Sequence, residues 1–183
     1  MPAVGIVIGV GWVVFWIYWL AASVGVKTGQ TRWARFAGVR VAIILVVLLL
    51  LRLRILKGRQ AVTHDPWLQI IGLVIFLLGL ALAVLARIYL GRNWGMPMSE
   101  KADPELVTTG PYSTVRHPIY SGIILAMIGT AVAVSVYWLV AVALVGGYFI
   151  YSATREERYL AHQFPDTYPK YKQSTKMLIP FIF

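Results

Sequence analysis

The chain has 183 residues, of which 59% are hydrophobic and only 13% charged, against about 25% charged in soluble domains, and this composition excludes a water-soluble globular fold. It has no cysteine, which removes disulfides, thiolate metal sites, a cysteine nucleophile and a cysteine-linked lipid anchor from consideration. Seventeen basic residues against seven acidic ones give a net charge of +10, but the positive residues lie between and beside apolar runs, as in loops resting on anionic lipid, so no nucleic-acid partner is expected.

Unpaired backbone groups are costly in hydrocarbon, so a membrane-spanning chain is helical or a closed barrel, and long unbroken apolar runs favour helices. The fold class expected is all-α, a polytopic membrane protein of about five spans. The first covers about residues 4–24 and carries Trp12, Trp16, Tyr18 and Trp19 as interface or packing aromatics. It lacks a positive leading region and exceeds the apolar length of a leader peptide, so it reads as a span. A basic loop with Lys27, Arg32 and Arg35 leads to a second run over about 39–55, whose Arg40, Arg52 and Arg54 can reach the headgroups. The third, about 67–90, comes after His64-Asp65-Pro66, with proline in its favoured place at a helix start, and closes at Arg87 and Arg92.

A polar stretch over 91–117 then precedes a charge-free run over 118–154. One helix of that size would reach about 55 Å against a hydrocarbon thickness near 30 Å, so a hairpin of two short helices turning near Ser135 is expected. The tail continues as helix to about Phe164 and then lies against the membrane surface. The chain thus divides into three N-terminal spans, residues 1–90, and a unit over 91–183 of loop, hairpin and tail. Basic loops over 27–35 and 91–116, with the basic tail, argue for an outer N-terminus and a cytoplasmic tail, although Arg52, Arg54, Lys57 and Arg59 would then lie outside.

Two polar clusters carry the chemistry. In the first, Leu106, Val107 and the pair Gly110-Pro111 lead through Tyr112 to Arg116-His117-Pro118-Ile119-Tyr120. Pro118 disfavours helix at His117 and suits the first helical position, so His117 stands at a helix N-terminus, where free amides and the positive helix end, reinforced by Arg116, attract an anionic group. Arg-His-Pro before an apolar run also fits a basic membrane stop. In the second, Glu156 and Glu157 emerge from a long apolar segment and call for a cation, either a ligand's or that of Arg116, Arg155 or Arg158.

The ordered pattern Gly110-x-Tyr112-x-x-x-Arg116-His117-Pro118-x-Tyr120, then Glu156-Glu157, then Phe164-x-x-x-Tyr168-x-x-Tyr171 resembles the isoprenylcysteine carboxyl methyltransferase family and related membrane phospholipid methyltransferases, and Gly91-Arg92-Asn93-Trp94 resembles the upstream element. The resemblance covers residues 91–183. It implies a methyltransferase using S-adenosylmethionine, whose ammonium suits a carboxylate and whose own carboxylate suits amide or guanidinium donors; no metal is needed. It implies cofactor binding by His117, Tyr120, Glu156 and the backbone around Leu106 to Gly110, with Val107, Tyr112, Pro118 and Glu157 completing the set, and catalysis by Arg116, His117 and Tyr120, Arg116 facing the reacting group. His117, Tyr112 and Tyr120 are open candidates for a base. Members acting on prenylcysteine carry an arginine shortly before the acidic pair, where this chain reads Phe-Ile-Tyr-Ser-Ala-Thr over 149–154, and Phe164-Pro165 stands where Phe-Gly is common. That departure points to another lipid or amphipathic acceptor, reached from the membrane lipids. The setting expected is multi-pass, in a cell inner membrane, with the site facing the cytoplasm. Two other functions fit the composition: an NADPH-dependent reductase of a sterol or polyprenyl lipid, and a non-enzymatic lipid-binding protein.

Overall fold

A computed structural model of the protein describes residues 2–22, 63–94 and 105–183. They form five α-helices: α1 (Pro2–Ala21), α2 (Pro66–Leu90), α3 (Pro118–Ala133), α4 (Trp138–Gln163) and α5 (Tyr168–Ser174). Among the described residues α1, α2 and α4 are long and apolar enough to cross a membrane, and α3 is a shorter apolar helix. The protein is therefore an all-α integral membrane protein. The second expected span, over 39–55, lies outside the described residues.

Local chemistry sets the helix bounds. Asp65 caps α2, its side chain accepting from the amides of Trp67 and Leu68 at 2.8 and 3.2 Å, and Pro66 takes the first helical position, whose amide would have no helical partner. At the same end Thr63 receives Gln69 Nε2 on its carbonyl and donates its hydroxyl to the carbonyl of Val132 and its amide to that of Val134. These bonds satisfy carbonyls that the last turn of α3 leaves open. The turn around Ser135 falls where expected, between Ala133 and Trp138. Its two helices are unequal, however. α3 has 16 residues, about 24 Å, but α4 has 26, about 39 Å, because the polar tail joins the apolar segment in one continuous helix and carries Glu156 toward the end of the span.

Lipid tails are as apolar as leucine, so helices associate in a bilayer chiefly by close packing and a few hydrogen bonds. α2 and α3 run antiparallel and meet backbone to backbone. A methyl placed on Gly72 would lie 2.5 Å from the amide nitrogen of Ala133, and one on Gly122 2.6 Å from that of Ala83; at Gly79 and Gly129 it would meet the amides of Ala126 and Phe76 more closely still. α1 lies beside this pair, with Trp12 edge-on to the fully buried Phe76 and its indole donating to Thr130 at 3.1 Å. Arg87, buried near the end of α2, donates to the carbonyls of Gly91 and Ala22 and lies 4.8 Å over the ring of Trp94. One guanidinium thus closes the C-terminal ends of α1 and α2 together. Both ends lie at the same face as the start of α3 and the end of α4.

Candidate active site at the entrance of the third helix

At that face α3 and α4 are joined by side chains. Residues 149, 152, 153 and 156 recur at helical spacing along one side of α4, and Phe149, Ser152 and Ala153 are buried there against α3. The rings of His117 and Tyr120 stack at 5.5 Å, and Tyr120 and Phe149 stack at 4.4 Å, nearly parallel in both cases. The Tyr120 hydroxyl donates to Glu156 Oε1 at 2.6 Å, with Ser152 Oγ 3.3 Å from both the hydroxyl and the carboxylate. His117 Nδ1 stands 3.6 Å from Glu156 Oε2. Glu156 is thereby held on one side by hydroxyls while remaining 27% exposed, so a ligand can reach it.

Glu157, one residue and about 100° further round the helix, faces the other way and is 4% exposed. Arg116 Nε meets its Oε1 at 2.7 Å and Lys172 Nζ its Oε2 at 2.9 Å, while His117 Nε2 is 3.6 Å from Oε1. Arg116 also donates from one terminal nitrogen to the carbonyls of Lys172 at 3.2 Å and Thr175 at 2.5 Å. Its guanidinium, expected to face a reacting group, bonds here through Nε and one terminal nitrogen to groups of the protein itself. A buried carboxylate needs a cation, and Arg116, with Lys172, supplies it.

The tail completes the enclosure. Rather than merely lying on a membrane surface, it returns to the start of α3. Arg116 and His117 donate their amides to Lys176 and Met177, Lys176 donates back to Thr114, and the Tyr171 hydroxyl donates to the Tyr112 carbonyl at 2.7 Å. The amides expected to be free at this helix entrance are therefore partly taken by the tail. Burial, the largest influence, together with the charges of Tyr171 and Glu156, pushes the Tyr112 phenol well above its ordinary range. Burial likewise raises Tyr171, to about 12, Arg116 opposing and Glu157 adding to the rise. Both phenols keep their protons at neutral pH.

The candidate cofactor-binding and catalytic residues named from the sequence all lie among these elements. Leu106 and Val107 are half-buried in the extended approach, Val107 against the core that contains Tyr112 and Tyr120. Gly110 opens a 3-10 turn, Gly110–Ser113, at φ +60° with the Tyr89 ring where a side chain would begin, so both conformation and space require glycine. Pro118 is fully buried. Four residues of the site were not apparent from the sequence: Phe149, Ser152, Lys172 and Thr175. Phe149 and Ser152 had a signal, their seven- and four-residue spacing ahead of Glu156 on one helix face; Lys172 and Thr175 act through a chain reversal that no local pattern announces.

Residues 67–167, from α2 to the end of α4 and just beyond, match the model of the phospholipid methyltransferase family. The chain is 37% identical over 120 residues to a protein-S-isoprenylcysteine O-methyltransferase of Xenopus laevis, covering 63% of this chain and 42% of that protein. It is 27% identical over 143 residues to the nickel-cobalt-cadmium resistance protein NccN of Alcaligenes xylosoxydans xylosoxydans, covering 77% and 64%. To methanethiol S-methyltransferase 1 of Bradyrhizobium diazoefficiens it is 39% identical over 82 residues, covering 45% and 28%. The chain spans less than two thirds of the length of each of these relatives. The matched span contains α2, α3 and α4 and with them both polar clusters of the site. With that match over more than half its length, the chain belongs to the phospholipid methyltransferase family.

Proposed function

We propose that the protein is an S-adenosylmethionine-dependent methyltransferase acting on a lipid-like or amphipathic acceptor, with its site at the cytoplasmic face of a cell inner membrane. The observation that carries the reading is Glu156: a partly accessible carboxylate, fixed by Tyr120 and Ser152 beside His117, at the one end where four helices and the tail converge. The neighbouring Glu157 is buried against two cations, as a structural carboxylate must be. Glu156 takes the Tyr120 and Ser152 hydroxyls on one oxygen, has His117 Nδ1 3.6 Å from the other, and keeps 27% of its side chain exposed.

The donor set fits the cofactor. Glu156 would hold the ammonium, and the positive end of α3 would favour the carboxylate. Tyr112 and the turn at Gly110 would form the neighbouring wall. Bound there, S-adenosylmethionine supplies an electrophilic methyl group whose sulfonium charge is lost as a nucleophile attacks in line. The protein's share is alignment and exclusion of water. An acceptor carboxylate arrives already ionised; an amine or hydroxyl needs its proton removed. The three candidate bases remain Tyr112, Tyr120 and His117; Tyr120 donates to Glu156, and the two ring nitrogens of His117 stand 3.6 Å from Glu156 and Glu157.

The acceptors in the relatives' names differ, a protein S-isoprenylcysteine in one and methanethiol in another. Residues 149–154 here contain no arginine to meet an acceptor carboxylate, and we assign the acceptor only to the class of amphipathic molecules reaching the site from the bilayer. Calorimetric titration of the detergent-purified protein with S-adenosylhomocysteine tests the cofactor. Binding by the parent protein and its loss in Glu156→Ala and His117→Ala is the expected result; no binding, or undiminished binding by both variants, rejects it.

A further inference from the structure

We infer that residues 179–183 form an interfacial anchor that dips into the acyl boundary of an anionic leaflet and thereby holds the tail on the site. The inference does not depend on the catalytic reading.

The path of the tail carries it. Lys176 and Met177 accept from the amides of Arg116 and His117, just outside α3, and the next carbonyl, Leu178, accepts from the Ser121 hydroxyl at 2.6 Å, already inside the helix's first turn. The tail therefore descends along α3 toward the membrane interior as it proceeds. It ends in Ile179-Pro180-Phe181-Ile182-Phe183, a run without a polar side chain. Phe181 is 89% exposed and Ile182 77%, with Ile179 and Phe183 about half exposed, although Leu178 just before them is buried.

Exposed loops with this much apolar surface are uncommon in water, and this one already pairs most of its amides internally. The amides of Leu178 and Ile179 donate to the Phe183 carbonyl at 2.8 and 2.6 Å, those of Ile182 and Phe183 donate to the Ile179 carbonyl, and Pro180 has no amide to satisfy, so the groups left over, the Phe181 amide and the carbonyls of residues 180–182, would lie at the acyl boundary within reach of water and headgroups. Above the turn, on the aqueous side of that descent, Lys170 and Lys176 are exposed. Apolar tip below and lysines above is the charge arrangement that an anionic lipid surface complements. The same tail carries Tyr171, Lys172 and Thr175 to Tyr112, Glu157 and Arg116, so seating the tip in lipid also steadies the wall of the site.

The chain has no cysteine, so Phe181→Cys and Ser174→Cys each give a single attachment point for an environment-sensitive fluorophore in the full protein, reconstituted in vesicles of phosphatidylcholine with phosphatidylglycerol. The label at 181 is expected to shift to the blue, to be quenched by lipids spin-labelled near the headgroup and to resist aqueous iodide, while the label at 174 behaves as in water. Iodide access at 181 equal to that at 174 overturns the inference. So does a label at 181 shielded from both quenchers, with energy transfer between differently labelled copies marking a protein partner instead. Because a fluorophore could itself favour lipid, an unlabelled Phe181→Asp, Ile182→Asp variant is compared by hydrogen exchange in the same vesicles. Faster exchange across residues 168–178 than in the parent is expected, and unchanged exchange contradicts the anchor.

Discussion

Toward α2, α3 presents Gly122 and Gly129, and backbone meets backbone; toward α4 it presents Tyr120, which is met by Phe149, Ser152 and Glu156. The glycine side leaves no space for a ligand or a polar group, and its role is to fix the depth and tilt of α3. The aromatic side keeps the helices apart by the thickness of a ring and places a carboxylate at their open end. Even the glycines differ. Those of α2 and α3 would clash with any side chain, whereas Gly146 and Gly147 of α4 have nothing within 4 Å of where one would begin. Rigid placement and accessible chemistry are thus assigned to opposite faces of one short helix.

The largest effect is expected on the glycine side. Gly79→Leu forces a branched side chain into the backbone of Ala126, beyond the roughly 1–3 kcal/mol typical of overpacking, and should abolish a monodisperse folded protein on size-exclusion chromatography. Next comes the buried ion pair behind the site. Arg116→Ala leaves Glu157 buried with His117 and the half-exposed Lys172 and should lower stability by about 3 kcal/mol, read by thermal unfolding in detergent, and free the tail to exchange its amides. Glu156→Gln separates function from fold: the amide can still accept from Tyr120, so unfolding should shift by less than about 1 kcal/mol, while S-adenosylhomocysteine affinity falls on the order of 10-fold or more with loss of a charged partner. Comparable stability losses for Glu156→Gln and Arg116→Ala would erase the distinction between the two carboxylates. The smallest effect is expected at Gly146→Ala, which should be neutral or stabilising by roughly 0.5–1 kcal/mol, since open space and a helical backbone both favour alanine.

Much of the fold was legible wherever a local rule decides it. Asp65-Pro66 marks the start of α2, and Pro118 with the excessive length of the charge-free run requires the hairpin and its turn. The two polar clusters were legible as neighbours in function because polar groups are rare in such a chain. Direction was not legible. Glu156 and Glu157 are adjacent and chemically alike; which stays partly exposed beside Tyr120 and which is buried against Arg116 depends on the rotation of α4, and that is set by Phe149 and Ala153 packing on α3. The direction of Arg116 was hidden for the same reason, since its partner Lys172 and the carbonyl of Thr175 arrive by a reversal made of backbone bonds, for which any side chains would serve. The glycines at seven-residue spacing, Gly72 with Gly79 and Gly122 with Gly129, were present as a pattern, but apolar runs conceal small-residue stripes unless two helices are compared.

The most direct test of the methyltransferase reading is transfer itself. Membranes containing the parent protein or Glu156→Gln are incubated with S-adenosylmethionine labelled in its methyl group, and label is traced into the lipid extract, the protein and the aqueous phase. Label entering an extractable amphipathic product with the parent protein, and falling to background with Glu156→Gln while the variant remains folded, is the expected result. No transfer above membranes lacking the protein, or equal transfer by parent and variant, would contradict it.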